Sequence, residues 1–173
     1  MYKASKKKSK KDSSLRKLMD SIKQDSSCEC GVSPHKWKIV NGKETPKNKY
    51  PWMAAIMYID EKGDLSQFCG GAIISDKYVL TAAHCVYPQD ETYVRLGDHD
   101  YEKEGDTKHV VTIEVVKQIG HKGYNEDTTD KDIGLMYLKE SIKFSKYDGT
   151  IVPVCLPTEH LKYYSLTATV AGW

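Results

Sequence analysis

No apolar run in these 173 residues approaches the roughly 20 needed to cross a bilayer as a helix, so a membrane-spanning helical function is set aside. Paired Cys-x-x-Cys spacing is also missing. The five cysteines stand at 28, 30, 69, 85 and 155, which gives a zinc cluster little support and favours oxidised pairs in a secreted chain. An odd count leaves one cysteine over. No internal repeat is evident, which argues against a solenoid or propeller. No apolar stretch of signal-peptide length follows Met1, where Lys3, Lys6, Lys7, Lys8, Lys10 and Lys11 stand instead. Secretion and this N-terminus conflict. The expectation is that the native N-terminus is missing, not that the protein stays in the cell.

What is present divides into two textures. Residues 1–27 carry a net charge of +6, whereas residues 39–173 carry −5, so the overall +2 is a property of the tail. The tail is rich in Lys and Ser and poor in aromatics, a composition that buries too little surface to fold. Leu15, Leu18, Met19 and Ile22 keep helical spacing over a stretch too short to be stable alone. A lysine run of this kind is more often a solvated tail than a nucleic-acid patch, and neither nucleic acid nor membrane is expected as a partner.

From Ile39 onward, short apolar runs alternate with turn residues. Trp52–Ile59, Ala72–Ile74, Tyr78–Thr81, Tyr93–Leu96, Val110–Val116, Ile133–Leu138 and Ala168–Ala171 are separated by segments such as Asp60–Gly63 and Ser75–Lys77. Runs of this length, rich in Val, Ile and Tyr, predict an antiparallel sandwich or barrel, not βαβ units. Composition carries the reading to an all-β secreted domain and no further.

Chemistry enters with Thr81-Ala82-Ala83-His84-Cys85, which follows the predicted strand Tyr78–Leu80. Two small residues before the histidine let the backbone pack closely while the imidazole points away from the strand end. A histidine beside a cysteine is by itself more often structural or a metal ligand. The surrounding motifs are more specific. Cys69-Gly70-Gly71-Ala72-Ile73-Ile74-Ser75 followed by Tyr78–Cys85 closely resembles the catalytic-histidine region of trypsin- and chymotrypsin-like serine proteases. The resemblance runs from Lys38 to Trp173, through Pro51–Ile56, Val94–Gly97, Asp132–Leu135, Pro153–Pro157 and Thr169–Trp173, in the family's order.

The resemblance implies an all-β, trypsin-like antiparallel six-stranded Greek-key β-barrel over about 39–150. A crossover and the first strand of a second barrel would occupy 151–173, with 28–38 as the propeptide and activation segment. It implies His84 as the catalytic base and Asp132 as the carboxylate that orients it. Asp132 heads an apolar strand and is expected to be buried, with His84 as its partner. Gly134 replaces the family's usual alanine and is expected to loosen that strand. Lys38-Ile39-Val40-Asn41-Gly42 resembles an activation site, which implies a zymogen cleaved between Lys38 and Ile39 by another trypsin-like protease.

Cys28-Glu29-Cys30-Gly31 looks like the propeptide cysteine region of arthropod secreted proteases. Spacing alone leaves fifteen ways to form two bridges from four of the five cysteines. The resemblance implies Cys69–Cys85 and Cys30–Cys155, with Cys28 unassigned. Acidic residues Asp98, Asp100, Glu102, Glu104 and Asp106 fall in a loop where some relatives bind calcium. An exposed acidic strand is the commoner explanation, and no cofactor is expected.

Gly-Asp-Ser-Gly-Gly, the family's nucleophile motif, does not occur. The reading is therefore a secreted serine endopeptidase acting on protein or peptide substrates, present here as an inactive fragment without its serine. The alternative is a non-catalytic homologue acting as a binding or cofactor protein, although the intact His84 and Asp132 weigh against it.

Overall fold

Alternation of buried and exposed side chains along six short strands organises the computed structural model, which describes residues 30–33, 45–86, 91–100, 103, 105–157 and 168–173. The strands are β1 (Met53–Ile59), β2 (Leu65–Ile73), β3 (Tyr78–Thr81), β4 (Thr92–Leu96), β5 (Val111–Gly120) and β6 (Gly134–Leu138). They close into an antiparallel barrel in the order β1-β2-β3-β6-β5-β4, so the chain leaves β3, builds β4 beside β1, and returns to β3 through β6. This is the all-β, six-stranded architecture expected from the sequence. The basic segment 1–27, Cys28 and the Lys38–Ile39 bond lie outside the described residues.

Period-2 alternation is clearest in β4, where Thr92, Val94 and Leu96 are buried and Tyr93 and Arg95 are not. Ile56, Ile73, Val79, Val94, Leu96 and Met136 meet in the barrel interior, all at 0% exposure. Burying a side chain of this size contributes roughly 1.5–3 kcal/mol, so the centre of the barrel dominates its stability.

Two strands depart from the apolar runs read in the sequence. β2 begins at Leu65, well before Ala72, because Ser66, Gln67, Cys69, Gly70 and Gly71 form a strand through ladder pairing with β1, with only Phe68 and Cys69 of this stretch packed on the core. β5 continues past Val116 to Gly120. Its register shifts between Val115 and Lys117, and this bulge transfers the strand from β4, which it pairs up to Glu114, to β6, which it pairs from Val115. Such a turn of the strand is what closes a sheet into a barrel. Residues 168–173 follow the barrel without ladder pairing among the described residues.

Candidate active site

β3 ends at Thr81, whose Oγ1 donates to the Gly70 carbonyl at 2.8 Å and ties this strand end to β2. The backbone then closes a single 3₁₀ turn, Ala83–Cys85, with Cys85 N–H donating to Ala82 O (3.2 Å) and Val86 N–H donating to Ala83 O (2.9 Å). His84 sits in the middle of this turn. Cys85 is disulfide-bonded to Cys69 on β2, with Cα atoms 6.1 Å apart, so the turn is anchored by a covalent cross-link as well as by hydrogen bonds.

Asp132 arrives from the neighbouring strand, β6, whose first residue Gly134 pairs with Thr81. It stands two residues before β6, after a loop that holds Thr129 and Lys131 at positive φ, and Ile133 N–H donates to Lys131 O at 2.8 Å. Its carboxylate accepts twice from His84. Oδ1 takes the backbone N–H at 2.9 Å, and Oδ2 lies 2.7 Å from ring Nδ1. An ionised carboxylate can only accept, so Nδ1 carries a proton, and in the neutral ring Nε2 presents its lone pair on the opposite side. The His84 backbone N–H, then its ring, and with them the Ala83 N–H, hold the Asp132 carboxyl below its ordinary value of 3.8 against the opposing cost of burial.

Burial differs from expectation. The Asp132 side chain is 22% exposed and that of His84 55% exposed, because the pair occupies the barrel rim and not its interior. Sequence reasoning also missed the backbone N–H bond to Asp132, since a main-chain donor leaves no mark in residue identity.

Beside this turn, β2 pairs with β1 along its length but with β3 only through Ala72 and Ile73, so among the described residues one edge of Leu65–Gly71 is free of ladder bonds. A groove of about 480 Å³ lies there, bordered by Gln67, Gly70, Thr81 and Trp173. Trp173 Nε1–H donates to His99 O at 2.8 Å. Cys30 and Cys155 form a second disulfide, with Cα atoms 5.0 Å apart, and Gly31 N–H adds a 2.8 Å bond to Pro153 O.

Metal chemistry finds a weak donor set. Cys69, His84 and Cys85 cluster, but both sulfurs are consumed by their disulfide. In the acidic loop, Asp98 Oδ2 is paired with Arg95, while Asp98 Oδ1 and both carboxylate oxygens of Asp106 are buried without a hydrogen-bond partner among the described residues. Asp98, Asp100 and Asp106 do not bring three ligand atoms together, and Glu102 and Glu104 lie outside the described residues.

Comparison with known proteins agrees with this architecture. The family profile described as Trypsin matches residues 39–173. Serine protease grass of Drosophila melanogaster is 35% identical over 169 residues, covering 88% of this chain and 44% of that protein. Venom serine protease 34 of Apis mellifera is 35% identical over 164 residues, covering 88% of this chain and 38% of its own length. The chain thus spans less than half of either relative. The crystal structure of the Drosophila Grass clip serine protease of the Toll pathway superposes with a TM-score of 0.65 at 34% identity, covering 82% of this chain and 42% of that one. Motif order, barrel topology and these matches agree: the chain belongs to the trypsin-like serine protease family, of the arthropod type.

Proposed function

We propose that this chain supplies the base and its orienting carboxylate to a secreted serine endopeptidase. His84 Nε2 removes the proton from a serine hydroxyl as that oxygen attacks the scissile carbonyl carbon. Asp132 holds the ring in the Nδ1–H tautomer and stabilises the imidazolium. The same Nε2 then gives its proton to the leaving amine, and water repeats the cycle to release the acyl group. The carrying observation is the double acceptance by Asp132 from one residue, because two bonds at 2.7 and 2.9 Å fix both the ring and its backbone. None of these steps calls on a cofactor.

Protein or peptide substrates suit a groove lined on one side by a strand edge that is unpaired among the described residues and can accept an extended chain by backbone hydrogen bonding. Activation is proposed by cleavage between Lys38 and Ile39 by a second trypsin-like protease. The Cys30–Cys155 bridge would then keep the released propeptide attached. The serine-bearing motif does not occur in these 173 residues, so the activity is that of a protein that carries the serine as well.

Three measurements test this reading. A fluorophosphonate probe should leave the 173-residue chain unlabelled; labelling would show a nucleophile this account lacks. A version of the protein that includes the serine motif should hydrolyse peptide amides. Failure to do so after trypsin treatment, with a new N-terminus at Ile39 verified by sequencing, would favour the non-catalytic homologue.

A further inference from the structure

β5 and β6 place two glycines opposite one another, Gly120 against Gly134. Neither contributes a side chain, so the pair leaves a recess on the sheet surface, and Val86 occupies it. A Cβ built on Gly120 would stand 3.7 and 3.8 Å from Val86 atoms, an ordinary contact. A Cβ on Gly134 would stand 2.5 Å from Val86 Cγ2, 3.1 Å from Ala82 O and 3.2 Å from Ile119 O. The first distance is a collision, so an alanine at 134 cannot coexist with Val86 where it lies. The glycine thus makes room for Val86, which is a different role from the expected loosening of β6.

The recess lies between the two halves of the site. Val86 follows His84 by two residues and closes its turn through the bond to Ala83 O. Gly134 follows Asp132 by two residues, and the Ala82 carbonyl it approaches accepts the Cys85 N–H that completes the same turn. Pressure on Val86 or on Ala82 O therefore moves the backbone that carries His84, whereas Asp132 is held by the start of β6.

We infer that Val86, seated between Gly120 and Gly134, is a positioning residue that sets how closely the His84 turn approaches Asp132. This rests on the proposed pairing of His84 with Asp132. A purely structural role would predict lost stability alone, since Val86 also packs against the core cluster.

The test uses a version of the protein that includes the serine motif and the low-field NMR resonance of its His84 Nδ1 proton, followed together with the carboxyl titration of Asp132 and the melting temperature. Gly134→Ala should abolish or broaden the resonance and raise the Asp132 midpoint toward its ordinary value. Val86→Ala, which empties the recess, should broaden it as well. The double variant, in which the new methyl faces a smaller neighbour, should recover it. Gly120→Ala, whose methyl would sit at contact distance, should retain it. An unchanged resonance and midpoint in both single variants, whatever happens to the melting temperature, would overturn the inference. If Gly134→Ala does not fold, Val86→Ala and the double variant decide by the same readings. Absence of the resonance from the unaltered chain would instead sink the pairing of His84 with Asp132, and the inference with it.

Discussion

His84 meets Asp132 through two donors that belong to one residue, and this doubles the constraint on the ring. Rotating the imidazole breaks one bond, and moving the backbone breaks both. In a protein that carries the serine, Asp132→Asn should lower kcat by about 10⁴-fold, the figure for the template enzyme of this same family, with KM little changed; steady-state kinetics on a peptide amide would check it. The pair also responds to pH. Because the folded Asp132 carboxyl lies below its ordinary value, its contribution to stability is complete above about pH 4. It is lost as the pH falls through the lower folded value. Asp148, held down by Lys108, and Asp130, held down by Lys131, act in the same direction. Unfolding followed against pH should therefore show stability falling on the acid side, and Asp132→Asn should reduce that slope.

Among the elements, the β3 end and the following 3₁₀ turn are cross-linked to β2 by Cys69–Cys85, which closes a loop of 16 residues. Replacing both cysteines with serine should cost about 3 kcal/mol on a chain-entropy account, measurable by denaturant unfolding. Broadening of the His84 resonance should accompany the loss, since the anchored turn carries that ring. The strands themselves are held from inside. Ile56, fully buried on β1, should cost about 2–5 kcal/mol when changed to Ala, with the value set by how far the barrel can collapse around the cavity. The bulge in β5 behaves differently. Deleting Val116, which has no partner on β6, would leave Val115 opposite Leu138 and Lys117 opposite Tyr137 but straighten the strand where it passes from β4 to β6, so that variant should close the barrel less well and unfold at lower denaturant.

For the whole molecule, closure removes most sheet edges. Among the described residues the edge of Leu65–Gly71 lacks a ladder partner beyond β1, and Ile133, Val170 and Trp173 are 47%, 92% and 43% exposed. Unpaired edges and exposed large apolar side chains promote association. The 173-residue chain should therefore self-associate at micromolar concentration, and light scattering that shows a stable monomer would count against this. The Cys30–Cys155 bridge joins residues 125 apart, a loop long enough to contribute about 5 kcal/mol by chain entropy. Reduction should accordingly loosen the molecule as a whole and free any propeptide cleaved at Lys38, visible as a mobility change between reducing and non-reducing gels.

Side-chain identity made much of this legible. The apolar runs at Trp52–Ile59, Tyr78–Thr81, Tyr93–Leu96 and Ile133–Leu138 correspond to β1, β3, β4 and β6, because burial on one face or two writes itself into composition. The motif around His84 and the Asp132–Leu135 stretch pointed to the family, because their chemistry needs particular residue types. Backbone and packing relations were not legible. The polar start of β2 is a strand through ladder bonds to β1, and β5 changes partners at a bulge that no residue type announces. The exposure of Asp132, its bond from the His84 N–H, and the recess that Val86 fills all depend on segments far apart in the chain. Gly134 shows the difference most directly. As a residue it suggests only a weaker strand, but across from Gly120 and beneath Val86 it becomes the space that lets the histidine turn approach its carboxylate.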